Sequence, residues 1–337
     1  MSSRLAAAKA RIDQALEQFL RTASAAARAR SPDLGPLIDA SEALTRRGGK
    51  RLRALLVVAG HDTVAAAPTP GLLEVAIAFE LLQTYLLIQD DWMDEDLVRR
   101  GGPSVHALLR QTHAPEHRAD AAAILASDLA FGQALSALVS APLPLDRRTP
   151  VLEAFTRMHE EVVLGQYLDV VQSRDVETVH LYKTAGYTVI WPLIVGARAA
   201  GAGPEIERAL SAFGTPLGLA FQLKDDLLGT FGASEKTGKS AGGDLAEGKE
   251  TALIAAARKR GADLTPLFAV FGKRDAEAAE LALARAVLER SGAKADVESE
   301  LARLRSQAET ALEGAAFRPE AKAMLSEILQ AIVERDA

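Results

Sequence analysis

Two aspartate pairs, Asp90-Asp91 and Asp225-Asp226, stand far apart in a chain of 337 residues, each inside an apolar stretch of helical character. The first occurs in Leu86-Leu87-Ile88-Gln89-Asp90-Asp91-Trp92-Met93-Asp94 and the second in Phe221-Gln222-Leu223-Lys224-Asp225-Asp226-Leu227-Leu228-Gly229. Adjacent carboxylates in a core-forming helix repel one another and lose hydration, so they destabilise the fold unless something compensates. Divalent cations would do so. Asp90 and Asp94 are four apart and share one helix face, while Asp91 lies about 100° round, placed to assist or to hold a water. Magnesium takes one or two carboxylates, keeps several waters and fills its other positions with phosphate oxygens. A solvated helix face is the competing reading. The mostly apolar run Leu72 to Ile88 before the first pair, and the presence of a second pair, both weigh against it.

Cations that would suit a polyanion accompany the acids. Gly48-Gly49-Lys50-Arg51-Leu52-Arg53 joins flexible backbone to three positive charges at the expected start of a helix. Arg99-Arg100-Gly101-Gly102-Pro103 follows the first acidic cluster, Lys183-Thr184 lies mid-chain, and Lys239 and Lys249 flank a glycine-rich loop from Gly229 to Gly248. Each alone reads as solvated surface. A nucleic-acid patch at Arg46 to Arg53 is disfavoured, since no aromatics interleave and the formal net charge is −6.

The elements that must carry these residues are helices. Ala and Leu abound, aromatics are 5 %, apolar residues 48 %, and no alternating strand pattern occurs. Spacing predicts helices over 4 to 28, from Leu37 to the break at Arg46 to Gly49, from Lys50 to Ala66, and from Leu72 to Leu97. Others follow over 119 to 140, 151 to 172, 178 to 200 with Pro192 as kink or cap, and Pro204 to Leu228. The remainder is helical with breaks near Gly261, Gly272, Gly292 and Pro319. The expected architecture is one all-α domain over 1–337. Glu74, Glu80 and Gln83 mark the most apolar stretch as a buried helix rather than a membrane span. The start of the chain lacks the apolar core of a signal peptide, and there is no cysteine, so a cytoplasmic protein is expected.

In this order, Gly-Gly-Lys-Arg-x-Arg, Asp-Asp-x-x-Asp with Arg-Arg-Gly, Lys-Thr, Phe-Gln-x-x-Asp-Asp and a lysine-bearing loop resemble the trans-isoprenyl diphosphate synthases, the polyprenyl synthetase family, across roughly residues 40 to 300. The resemblance implies a single-domain helical bundle of the isoprenoid synthase type around a deep central cavity, with the acidic helices facing each other. It implies condensation of isopentenyl diphosphate head-to-tail with an allylic diphosphate, with magnesium, about three ions to a site, as cofactor. Matched motif by motif, Asp90, Asp94 and Asp225 would bind the metal with Asp91 and Asp226 in support. Lys50, Arg53, Gln83 and Arg100 would hold isopentenyl diphosphate, and Arg99, Lys183, Thr184, Gln222, Lys239 and Lys249 the allylic diphosphate. A homodimer is the family's usual assembly.

The sequence departs from the family pattern at several positions. Gly229 stands where a third aspartate is usual, which leaves one metal site short of a carboxylate; Ala54 replaces a common proline, and Gln83 a frequent histidine. The last residues lack the basic tail of some farnesyl-type members. Tyr85, five residues before Asp90 and roughly 7–8 Å down a helix, reads equally as the floor of a product channel or as ordinary core. In the family an aromatic there marks short products, and with Leu86 beside it geranylgeranyl diphosphate (C20) is expected, farnesyl diphosphate (C15) being the alternative. A terpene cyclase would carry an Asn/Asp-Ser/Thr-Glu triad in place of Asp225-Asp226, and a non-catalytic subunit would tend to lose its acids. Both pairs are intact here.

Overall fold

The computed structural model describes residues 3–232 and 242–334. The chain divides into two compact units, Met1–Leu152 with Val195–Ala202, and Glu153–Ile194 with Gly203–Ala337. The all-α expectation holds in both. Among the described residues the one exception is a two-residue ribbon.

The first unit holds α1 (Ser3–Arg28), α2 (Gly35–Arg46), α3 (Leu52–Asp62), α4 (Leu72–Met93), α5 (Val105–Leu109) and α6 (Glu116–Ser140). At its centre α4 is apolar all round, and Val75, Ala76, Ala78, Phe79, Leu81 and Leu82 are fully buried. Against it lies α6. Ala119, Ala123, Ala126, Ala130, Ala134 and Ala137 recur at intervals of three and four and are all fully buried. Methyl groups in such a stripe let two helix backbones approach closely. An ion pair enters this core. Glu80 of α4, 6 % exposed, pairs with Arg51 at 3.2 Å and accepts the Ala54 N–H at 3.3 Å. Residue 51 has φ +53°, which turns its side chain inward at the start of α3. There it also meets Asp13 of α1 at 2.8 Å and the Thr45 carbonyl of α2 at 3.2 Å.

The helix expected to reach Leu97 ends at Met93. Glu95 adopts φ +53° and the Asp96 N–H returns to the Asp91 carbonyl at 2.8 Å, closing the helix end in a left-handed cap. The chain then forms a ribbon, β1 (Val98–Arg99) against β2 (Gly102–Pro103), paired Arg99↔Gly102. Its two turn residues, Arg100 (φ +53°) and Gly101 (φ +71°), both lie in the left-handed region that a tight hairpin of this hand demands. Pattern reading missed this ribbon because two-residue strands carry no alternation.

Most of α7 (Leu145–Val170) belongs to the second unit, as do α8 (Val176–Val179), a π-helix over His180–Ile190, and the start of α9 (Trp191–Ala199), whose residues from Val195 on fall in the first. After them come α10 (Pro204–Phe231), α11 (Gly243–Glu247), α12 (Ala252–Lys259), α13 (Thr265–Phe268), α14 (Ala278–Arg290), α15 (Ala293–Gly314) and α16 (Pro319–Val333). The helix expected over 178 to 200 is therefore interrupted in type. Pro192 has no N–H for the carbonyl four residues back, and the Trp191 N–H reaches five back to Gly186, the widened pattern of a π-helix. The centre of this unit is α10, packed against the π-helix, α15 and α16. Contact is tight. A Cβ at Gly218 would lie 2.7 Å from that of Ala185, and one at Gly165 would lie 2.3 Å from the Lys183 backbone nitrogen. Leu253, Ile254, Leu267 and Leu288 complete the core.

Two helices, Leu72–Met93 and Glu116–Ser140, are long and apolar enough by length and composition to cross a membrane. The first is largely buried inside its own unit, as expected for a core helix. The second is mostly not: Ile124, Leu125 and Val139 are exposed along α6.

Candidate active site

Each unit carries one aspartate pair, and the two pairs are treated alike. The first acid is half-buried and the second fully buried: Asp91 is 0 % and Asp226 3 % exposed. The 100° step between neighbours on a helix, set against a packed core on one side, forces that division.

In the first unit Asp90, Asp91 and Asp94 gather at the end of α4. Asp94 caps it, with its N–H on the Asp90 carbonyl at 2.8 Å, so the acids keep their helical register. Arg99 reaches back from β1 into the cluster. It donates to Asp91 and lies 3.4 Å from Asp90 and 3.1 Å from Asp96. Burial pushes the Asp91 carboxyl up to about 7 despite Arg99. Burial also works against the Arg99 charge, but Asp91, Asp90 and Asp96 outweigh it and hold the guanidinium above its ordinary value. Arg99 thus faces three carboxylates at once. The second oxygen of Asp91 is buried with no hydrogen-bond partner. An all-oxygen, anionic set with a buried unpaired acceptor fits a hard divalent ion such as magnesium.

Beside the cluster the same unit builds a cationic site. The α2–α3 loop packs on the ribbon: Arg47 donates to the Arg99 carbonyl at 3.0 Å, and a Cβ at Gly49 would lie 3.5 Å from the Arg100 guanidinium. Partial burial, and then Arg53, Arg51 and Arg99 as like charges, hold the Arg100 guanidinium below its ordinary value, with Glu80 opposing. Arg53 is half-buried, Lys50 exposed, and Gln83 of α4 buried with its amide oxygen unpaired. Crowded guanidiniums at the surface of one loop suit an anion. The ribbon gives Arg100 its place, and its left-handed backbone is strain of the kind functional sites retain. Arg51, one of the three cations in the loop, is instead the anchor of the core described above.

In the second unit Lys183 and Thr184 lie on the π-helix, both half-buried. Lys183 is paired with Asp169 of α7, which the close contact at Gly165, one turn earlier, brings within reach. Asp225 is half-buried on α10. Asp226 points inward to three partners: it accepts from the Gln222 amide at 2.7 Å and from the Ala252 N–H at 2.8 Å, and lies 3.4 Å from His180 Nε2. One amide N–H of Gln222 thus orients Asp226. Lys249 pairs with Glu247 at 2.7 Å. Lys239 lies outside the described residues. Sequence reasoning missed Asp169, His180 and the inward role of Arg51; an acid one turn beyond Gly165, at helical reach of Lys183, was the available signal.

Comparison with known proteins agrees with this chemistry. The family model described as polyprenyl synthetase matches residues 36–288, well over half the chain. A short chain isoprenyl diphosphate synthase of Methanothermobacter thermautotrophicus is 33 % identical over 258 residues, covering 73 % of this chain and 76 % of the relative. A geranylgeranyl diphosphate synthase of Methanosarcina mazei is 32 % identical, covering 71 % and 72 %. Among solved structures, a geranylgeranyl pyrophosphate synthase from Corynebacterium glutamicum, complexed with isoprenyl diphosphate and magnesium, superposes with a TM-score of 0.91 at 30 % identity over 96 % of this chain and 97 % of that one. This chain belongs to the polyprenyl synthetase family.

Proposed function

We propose that this protein is a short-chain trans-prenyl diphosphate synthase, joining isopentenyl diphosphate head-to-tail to allylic diphosphates of the C5 to C15 series and releasing pyrophosphate. The observation that carries the reading is the pairing, within the first unit, of a carboxylate cluster at Asp90, Asp91 and Asp94, in which burial holds Asp91 raised despite Arg99, with the guanidinium-rich site at Arg53 and Arg100. One half of such a site calls for cations and the other for a diphosphate. Geranylgeranyl diphosphate is the proposed product, with farnesyl diphosphate as the alternative.

Asp90, Asp94 and Asp225 are the proposed magnesium ligands, Asp91 and Asp226 their supports, with about three ions to a site. Bound there, magnesium would neutralise charge developing on the leaving diphosphate, which is selective stabilisation of the transition state. Arg99, Lys183, Lys249 and, by motif, Thr184, Gln222 and Lys239 hold the allylic diphosphate. Lys50, Arg53, Arg100 and Gln83 hold isopentenyl diphosphate. The allylic carbon–oxygen bond breaks with its electron pair leaving on pyrophosphate. The isopentenyl double bond then attacks the allylic cation, and a proton is lost from the adjacent carbon. His180 is buried against Asp226, and among the described residues no Glu or His is assigned as a base, so the departing pyrophosphate is the proposed acceptor of that proton. Apolar side chains of α4 shield the cation from water.

Tyr85, 7 % exposed, packs on Phe131 of α6 with ring centroids 5.1 Å apart, a bulky pair one helical turn and more below Asp90 that supports reading Tyr85 as the floor of the product channel. Tyr85→Ala should therefore lengthen the product by one or more five-carbon units. The test is labelled isopentenyl diphosphate with C5, C10 and C15 partners, with and without magnesium, followed by chain-length analysis. Magnesium-dependent elongation supports the reading; an unchanged product from Tyr85→Ala removes Tyr85 from this role.

The family match draws on residues of both units, which supports treating 1–337 as one domain. The lack of cysteine supports a cytoplasmic setting. The exposed apolar residues Leu125 and Val139 on α6 support a homodimer that covers them, which sedimentation of the purified protein tests: a monomer at micromolar concentration contradicts it.

A further inference from the structure

Glu161, Gly165 and Asp169 stand four residues apart on α7 and share one helix face. That face holds the π-helix at three levels. At one end Asp169 pairs with Lys183. In the middle Gly165 makes room for the backbone, since a Cβ there would lie 2.7 Å from the Tyr182 carbonyl carbon and 2.3 Å from the Lys183 nitrogen. At the other end Glu161 uses both of its oxygens. Oε2 accepts from Trp191 Nε1 at 2.7 Å and Oε1 from Arg157 Nε at 3.3 Å, and the Arg157 guanidinium lies 5.8 Å from the Trp191 ring centroid. Trp191 closes the π-helix, with its backbone N–H on the Gly186 carbonyl. Its indole lies beside Gly186, where a Cβ would meet Cδ1 at 3.6 Å. π turns are rare and mostly single, so eleven residues in that register need outside contacts to hold them.

We infer that Glu161 and Trp191 are positioning residues: their hydrogen bond fixes the end of the π-helix and thereby aims Lys183 and Thr184 at the allylic diphosphate. This rests on the diphosphate reading proposed above. The two residues act through Lys183 and Thr184 rather than on the substrate. A change of register between 183 and 191 turns Lys183 about the helix axis relative to Trp191, so losing the bond at one end misaims the cation at the other. The loss falls on the allylic substrate. The proposed partners of isopentenyl diphosphate, Lys50, Arg53, Gln83 and Arg100, all belong to the first unit.

The test is steady-state kinetics of the full-length protein with each substrate varied in turn, alongside thermal unfolding. Trp191→Phe keeps a ring and deletes the donor, Glu161→Leu deletes the acceptor, and Glu161→Gln keeps an oxygen for the indole. Trp191→Phe and Glu161→Leu should each raise KM for the allylic diphosphate about tenfold, with a smaller change in kcat and none in KM for isopentenyl diphosphate, and Glu161→Gln should restore most of the loss. In a Lys183→Ala background Trp191→Phe should add little, because the misaimed group is already gone. If Trp191→Phe and Glu161→Leu lower Tm but leave the allylic KM unchanged, or if the losses from Lys183→Ala and Trp191→Phe simply add, the bond is structural and the inference is overturned. Glu161→Leu decides alone should Trp191→Phe not fold. A wild type that fails to condense the two substrates would instead overturn the proposed function.

Discussion

Alanine at Asp90 or at Asp225 lowers kcat/KM by roughly 10³-fold, about 4 kcal/mol of transition-state stabilisation, the scale on which removal of a charge-stabilising group acts. The side chains occupy the half-buried member of each pair, the one turned toward solvent and ligand while its neighbour faces the core. Loss of either leaves fewer oxygens for the cation that neutralises the departing diphosphate. Stability should move the other way at Asp90. Without bound cation Asp90, Asp91 and Asp96 share the Arg99 guanidinium and repel each other, so Asp90→Ala should hold or raise Tm in chelator. Steady-state rates and thermal unfolding in magnesium and in EDTA check both halves. Near-normal turnover of either variant contradicts the assignment.

Arg51→Met destabilises the protein by about 3–5 kcal/mol, because it strands Glu80 as an uncompensated charge within the core of the first unit. Both side chains are about 7 % exposed or less, and once the arginine is gone Glu80 keeps the Ala54 N–H and the charge of Arg100 but loses its ion-pair partner. Asp13 loses its contact too, although as a partly exposed acid it contributes little. The double variant Arg51→Met/Glu80→Met should recover most of the loss, since two apolar side chains of similar size replace the ion pair without stranding either charge. Urea denaturation of the four proteins measures it. Additive losses would show that Arg51 and Glu80 are not coupled as described. Activity of Arg51→Met per folded molecule should change far less than in Arg53→Ala, which separates the structural cation of this loop from its ligand-facing neighbour.

Much of this site was legible in the sequence because its chemistry is local. Asp90, Asp94, Arg99 and Arg100 stand within eleven residues, and helical spacing alone puts the first two on one face. The helical class followed from the same periodicity. What pattern could not supply is which way a side chain turns once backbone torsions or distant partners decide. Arg51 reads as a third phosphate-binding cation, and only φ +53° at that residue turns it into the core. Asp226 reads as a copy of Asp91, yet its partners Gln222, His180 and Ala252 come from three segments. Gly229 reads as a missing acid, whereas the Asp244 carboxylate, fifteen residues further on, fills the volume a side chain there would occupy. The π-helix bearing Lys183 and Thr184 is invisible to a 3.6-residue period.

The measurement that bears most directly on the account compares turnover of an ordinary allylic diphosphate with one carrying fluorine next to the reacting centre, under saturating magnesium. Fluorine withdraws electrons and disfavours an allylic cation. If the acidic clusters act by drawing off the diphosphate first, the fluorinated substrate should react roughly 10³-fold more slowly, about 4 kcal/mol, while binding with similar affinity. Equal rates for the two substrates would mean that no cation forms, and would contradict the role given to these carboxylates.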